Sequence, residues 1–315
     1  MAGQQLRQPL NMAEALTILL FGCNGQVGSE LQKSLQPLGK VVALDVSNSE
    51  YCGDFTKPEA IAETIRRVKP DVIVNAAAYT AVDKAESEPE LAFLVNAQTP
   101  GILAEEAEKI GAWLIHYSTD YVFDGAGIQP WKETDTPNPL NVYGASKLQG
   151  ERNIAANCSK HVILRTSWVY AAQGANFAKT MLRLAQERES LSVVDDQIGA
   201  PTCAKLLAEL TANIIPKLMH DASLAGLYHA VAAGETSWYD YARFVIDGAR
   251  RRGIAIKVRD ENIRPVGSDQ FPTPAKRPAN SRLDTGKLRE AFGQELPPWQ
   301  IGAKQMLEVY LAEIK

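Results

Sequence analysis

From residue 17 to about residue 170, short runs of consecutive apolar residues alternate with longer stretches in which apolar positions recur every three or four residues. The runs Thr17–Phe21, Lys40–Asp45, Asp71–Asn75, Trp113–Ser118 and Val162–Thr166 have strand length and few polar interruptions, as parallel strands covered on both faces require. Between them, Gly28–Leu38, Pro58–Val68, Glu90–Ile110 and Val142–Ala156 read as helices, with Ile61, Ile65 and Val68 on one face of the second. Pro70 and Gly111 stand where two of these helices should stop. Strands alternating with helices predict an α/β architecture, a doubly wound parallel sheet of Rossmann type, over residues 16–174.

The rhythm changes after about residue 175. Helical patterns at Phe177–Glu189, Ala204–Met219, Trp238–Arg252 and Ile301–Ile314 surround a proline-rich stretch from Pro265 to Pro278. Residues 175–315 therefore read as a smaller, mostly helical substrate-binding part laid over one end of the sheet. Regions 175–200 and 225–236 are expected to return strands to that sheet, so the two parts interleave. Residues 1–15 lack the apolar region and small-residue cleavage site of a secretory signal and read as a frayed extension.

Composition narrows the function classes. With 33 Lys plus Arg against 37 Asp plus Glu, the net charge is −4, which argues against nucleic acid or an anionic membrane as an obligatory partner. No apolar run approaches the ~20 residues of a membrane-spanning helix. Cysteines 23, 52, 158 and 203 are far apart and form no Cys-x-x-Cys pair, so reduced thiols in a cytoplasmic protein are expected.

The first strand runs directly into Gly22-Cys23-Asn24-Gly25-Gln26-Val27-Gly28, ahead of a helical pattern. Glycines at this spacing allow a tight turn, close approach of backbone N–H groups to a pyrophosphate, and close helix packing. Asp45 ends the next strand 23 residues after Gly22, near the offset of a carboxylate that binds an adenosine ribose, although a loop acid would look the same. Asp54-Phe55 follows, and Asn75-Ala76-Ala77-Ala78 ends a later strand with small residues that leave room for a ligand.

Another strand ends in Ser118-Thr119-Asp120, and Tyr143-Gly144-Ala145-Ser146-Lys147 opens a helix. Tyr and Lys four residues apart share a helix face, so an ammonium there can lower the phenol pKa toward the range of a general acid. Thr119, at the end of the adjacent strand, could supply a hydroxyl to the carbonyl oxygen that such an acid would protonate. Trp168, just past Thr166, is either a sugar-stacking ring or a core aromatic. His116 lies within an apolar strand and reads as a satisfied core residue. Arg183, Arg277 and Arg282 are candidate diphosphate clamps, with surface arginines the plain alternative.

Taken with Asn75–Glu86, Ser118–Phe123 and Arg165–Tyr170, these motifs make the chain resemble the dTDP-4-dehydrorhamnose reductases, which are extended short-chain dehydrogenases/reductases. The likeness covers about residues 16–312. It implies reduction of the C4 ketone of dTDP-6-deoxy-L-lyxo-4-hexulose by NADPH or NADH, completing dTDP-L-rhamnose synthesis. By this resemblance Gly22, Gly25, Gln26, Val27, Gly28, Asp45, Asp54, Phe55, Ala78, Tyr79 and Thr80 would hold the dinucleotide, together with Tyr143 and Lys147. Thr119, Asp120, Tyr143 and Trp168 would face the dTDP-sugar, with Tyr143 as proton donor assisted by Lys147 and Thr119.

Some relatives are dimers bridged by Mg²⁺ through a glutamate cluster. Glu30 fits one such position, but Lys205 and Val309 stand at the other two, so neither the metal nor that dimer is expected, and a monomer or weak homodimer is. The related 4,6-dehydratases carry Glu after the Thr-Asp pair, where this chain has Tyr121. A non-catalytic nucleotide-binding subunit would need no intact Thr119, Tyr143 and Lys147 set.

Overall fold

The structure is a computed structural model and describes residues 15–313. The expected extension 1–15 lies outside the described residues except for Ala15. Five strands, β1 (Leu16–Phe21), β2 (Gly39–Leu44), β3 (Val72–Asn75), β4 (Trp113–Thr119) and β5 (His161–Thr166), form one sheet with the later strand Gly226–His229. Their order is 226–229, β5, β4, β3, β1, β2, and every pairing is parallel. All six carboxyl ends therefore emerge along one edge.

Alternation along the strands builds both faces. Ile18 and Leu20 of β1 join Val72, Val74, Ile115 and Leu164 beneath the helices Gln26–Ser34 and Ala204–His220. Leu19 and Phe21 point the other way, to Ile73, Leu114 and Ile163 beneath Ile61, Ile65, Leu103 and Ile154. Because both faces are covered, the strands read as unbroken apolar runs rather than alternating ones.

The helix expected over 90–110 is three pieces: Pro89–Phe93, a π-helical turn Leu94–Gln98, and Thr99–Ile110. Pro100 has no N–H to donate back and its ring crowds the preceding turn, so the register widens there. Gly111 then stops the helix in the left-handed region at φ 71°.

The second half supplies the edge strand Gly226–His229, as expected of region 225–236. Region 175–200 adds no strand to that sheet. Leu191–Val194 pairs instead with Ile263–Val266 in a separate parallel ribbon, because Leu191 and Val193 bury their apolar side with Ile246 and Val258. Among the described residues no helix is long and apolar enough to cross a membrane.

Candidate active site

Parallel topology delivers the motif residues to a single edge: Gly22 follows β1, Asp45 follows β2, Asn75 ends β3, Thr119 ends β4, and Thr166 ends β5 just before Trp168. Ligands of open α/β sheets bind along that edge.

Sterics explain the glycines of the first turn. Gly22 has φ 77°, and a Cβ there would lie 2.6 Å from the Ala77 backbone nitrogen; at Gly28 a Cβ would lie 2.0 Å from the Gly22 carbonyl oxygen. The helix Gln26–Ser34 begins at Gly25 with no side-chain cap and no acid in its first turn. Its leading N–H groups and the positive end of its dipole are thus free to meet an anion, and this cradle fits a dinucleotide pyrophosphate. Val27 is partly buried against the core under that helix. The Gln26 side chain points elsewhere: its Oε1 accepts from Ala171 N at 2.9 Å and Asn176 Nδ2 at 3.2 Å, tying the turn to the second half of the chain.

Asp45 accepts from Asn24 Nδ2 and from the backbone and hydroxyl of Ser47, and the Ser47 bonds hold its carboxyl below the usual range. Asp54 is held low in the same way by Thr56, with Lys57 beside it. Phe55 has its ring edge-on to Phe21 at 5.3 Å and is 4% exposed, while its carbonyl accepts from Thr99 Oγ1. Its side chain is therefore a core group; a cofactor could meet only its backbone.

Ala78, Tyr79 and Thr80 lie in the loop after β3, and a residue missed in the sequence fixes them. Asn96, in the π-helical turn, accepts from Tyr79 N at 2.9 Å and donates to Tyr79 O and Ser146 Oγ at 3.0 Å each. The Tyr79 hydroxyl donates to Glu88 at 2.8 Å. A π-turn in a helix often marks a functional site, and the proline just after it was the available signal.

The helix Val142–Asn157 is started by Asn141, whose Oδ1 accepts from Gly144 N, and by Glu86, which accepts from Val142 N, both at 2.8 Å. These caps set the first turn, which carries Tyr143. The Tyr143 ring meets Tyr121 edge-on at 5.7 Å, and its phenol is pushed up to about 12, mainly by burial and further by Asp120, with the Thr119 hydroxyl opposing. Lys147 is 2% exposed and bonds the Tyr117 carbonyl at 2.6 Å and His116 Nε2 at 3.1 Å. Lys147 does not lower the phenol as its spacing led one to expect, because its Nζ is turned into the sheet toward Tyr117 and His116.

Asp120 is 2% exposed, and its Oδ2 has no hydrogen-bond partner among the described residues. Burial pushes its carboxyl up to about 6, against the Ser281 and Thr119 hydroxyls. A folded pKa raised above the unfolded value of 3.8 means that ionisation opposes folding, so the cost is absent below pH 3.8 and complete above about 6. Asp120→Asn is accordingly expected to raise stability at pH 8 by about 2–3 kcal/mol and to do little at pH 4. Thermal melts of both proteins at the two pH values check this; an equal gain at both would rule out ionisation as the cause.

A cavity of about 720 Å³ opens beyond Tyr121 between the two halves, lined among others by Gln197, Trp238, Phe271, Lys276 and Arg277. Trp168 has φ 48°, a rare conformation for a bulky residue, and its ring stacks on Trp238 at 3.6 Å. One face of Trp168 is thus taken, and its partner Trp238 presents the aromatic surface to the cavity. Of the three candidate clamps only Arg277 lines the cavity, where it binds Asp83 at 2.7 and 3.0 Å; Arg183 pairs with Glu187 and Arg282 with Glu235.

No group of three or more His, Cys, Asp or Glu side chains is placed to hold a metal among the described residues. Glu30 pairs with Lys33, Lys205 with Glu209, and Val309 is exposed.

Residues 16–312 match the family model described as the RmlD substrate binding domain. The dTDP-4-dehydrorhamnose reductases of Salmonella typhimurium and of Escherichia coli K12 are each 57% identical over 292 residues, spanning 93% of this chain and 97% of theirs. A crystal structure of the enzyme of that name from Bacillus anthracis, in complex with NADP, superposes with a TM-score of 0.82 at 36% identity, covering 95% of this chain and 99% of that one.

Proposed function

Because the chain belongs to the RmlD substrate-binding family, alongside dTDP-4-dehydrorhamnose reductases, we propose that Tyr143, Lys147 and Thr119 carry its chemistry. The reaction is the NAD(P)H-dependent reduction of the dTDP-linked 4-keto sugar to dTDP-rhamnose. The observation that supports this reading is Tyr143, on a capped helix start, beside the Thr119 hydroxyl at the strand edge that also bears the glycine cradle, with Lys147 buried one turn behind it.

When bound, the reduced nicotinamide supplies hydride to C4. Tyr143 holds its proton firmly at neutral pH and gives it from the phenol oxygen to the oxygen that becomes the alkoxide. Thr119 orients that oxygen through its hydroxyl. Lys147, once charged and facing the site, stabilises the phenolate left behind. Gly22, Gly25, Val27 and Gly28 shape the pyrophosphate cradle, Asp45 takes the ribose end, and the segment Ala78–Thr80 lies alongside. Asp120 and the Trp168–Trp238 stack border the sugar nucleotide. The free thiols of Cys23, Cys52, Cys158 and Cys203 support a cytoplasmic location, and we favour a monomer or weak homodimer.

The test follows oxidation of NADPH, with ketosugar made from dTDP-glucose by a dehydratase and a 3,5-epimerase, each omitted in turn. Oxidation that needs both helpers and yields dTDP-rhamnose is expected. Oxidation without the epimerase would mean a different 4-ketosugar is the substrate.

A further inference from the structure

Behind the proposed catalytic lysine lies a buried chain of polar groups with a fixed direction. The Ala77 backbone N–H donates to Asn75 Oδ1 at 3.0 Å, which leaves Asn75 Nδ2 as the group facing His116 Nδ1 at 2.9 Å. An amide NH₂ only donates, so His116 Nδ1 must hold a lone pair, and the neutral ring carries its hydrogen on Nε2. Nε2 lies 3.1 Å from Lys147 Nζ, which also donates to the Tyr117 carbonyl at 2.6 Å. An ammonium there would point hydrogens at an N–H, whereas an uncharged amine accepts from it. Asn75, His116 and Lys147 are at most 2% exposed, so bulk solvent does not reach these contacts.

We propose that His116, oriented by Asn75, is a positioning residue that docks Lys147 as the uncharged amine and releases it toward Tyr143 when it takes up a proton. The proposal rests on the catalytic reading of Lys147 given above. His116 itself stays neutral, because burial holds its pKa well below the usual value.

The other charged groups packed on this helix are engaged. Glu151, one turn after Lys147, is bound by Arg165 of β5 and Ser118 of β4. Asp83 is held by Arg277, Glu86 caps Val142, and Glu106 binds Arg66 and Lys109. Asp120 and Tyr121, in the turn after β4, act on Tyr143. Burial lowers the Lys147 ammonium to about 8, with Glu151 opposing.

His116→Gln tests the dock, because an amide can turn its oxygen to Nζ without adding charge. In protein labelled with ¹³C at lysine Cε, the Lys147 resonance is identified by its loss in Lys147→Arg. It is expected to titrate near pH 8 in the wild type and at least about one unit higher in His116→Gln, an approximately tenfold tighter hold on the proton. The same titration in both proteins overturns the proposal. Asn75→Asp gives a second reading, since a carboxylate accepts from Nδ1–H and so selects the tautomer whose Nε2 carries the lone pair; its shift should be upward as well. A shift in Asn75→Asp with none in a folded His116→Gln marks a plain field effect and also overturns the dock. Activity separates the two readings: if the resonance moves but the alkaline limb of kcat does not, the dock stands and the catalytic role of Lys147 fails.

Discussion

Replacing Tyr143 with Phe should lower kcat by about 10³-fold, or ~4 kcal/mol of barrier, while NADPH affinity stays within about threefold. The phenylalanine keeps the edge-on contact with Tyr121 and leaves the Asn141 and Glu86 caps untouched, so the helix start is preserved and only the hydroxyl is lost. With the phenol pushed up to about 12, the wild-type acid stays loaded across the neutral range, and no activity limb near pH 7 should come from tyrosine ionisation. On the proposed mechanism the alkaline limb comes from Lys147. Its charged form exists below its pKa, so activity should fall as pH rises through about 8. Stopped-flow hydride transfer with the ketosugar, together with NADPH titration, separates the two quantities. A Tyr143→Phe rate within tenfold of wild type would remove Tyr143 as the proton donor.

What the sequence revealed tracks what local pattern can encode. The sheet was legible because burial on both faces leaves strands such as Leu16–Phe21 and Trp113–Thr119 almost wholly apolar, and the glycine turn because its backbone tolerates no Cβ at Gly22 or Gly28. Tyr143 and Lys147 stood out through their spacing on one helix face. Partners set by long-range packing did not. Asn96 is 17 residues from Tyr79, Trp238 is 70 from Trp168, and Arg277 is 194 from Asp83; no periodicity links such pairs. Where Lys147 points was equally hidden, since His116 reads as a core histidine until the Asn75 amide beside it gives the ring a direction. Region 175–200 misled because a short apolar run says that a strand is buried but not beside which partner; Leu191–Val194 found Ile263–Val266.

The second large effect concerns the buried ion pair between β5 and the helix that carries Tyr143 and Lys147. Arg165, in β5, gives two bonds to Glu151, at 2.8 and 2.6 Å, and Ser118 of β4 adds a third at 2.5 Å. The pair is nearly inaccessible to solvent, and the guanidinium also lies over the Phe123 ring at 5.0 Å. Glu151→Gln removes the countercharge but leaves the arginine buried. The expected loss is about 3–5 kcal/mol, a fall in Tm on the order of 10 °C. Adding Arg165→Met should recover much of it, because the buried charge left without a partner is then removed. The same single substitution bears on chemistry. Glu151 strengthens the hold of Lys147 on its proton, so losing its charge should lower the lysine pKa and move the alkaline limb of kcat to lower pH. Calorimetry and a kcat–pH profile on Glu151→Gln and the double variant test both consequences. A single variant that melts within ~2 °C of wild type would show that the pair does not clamp this helix to the sheet.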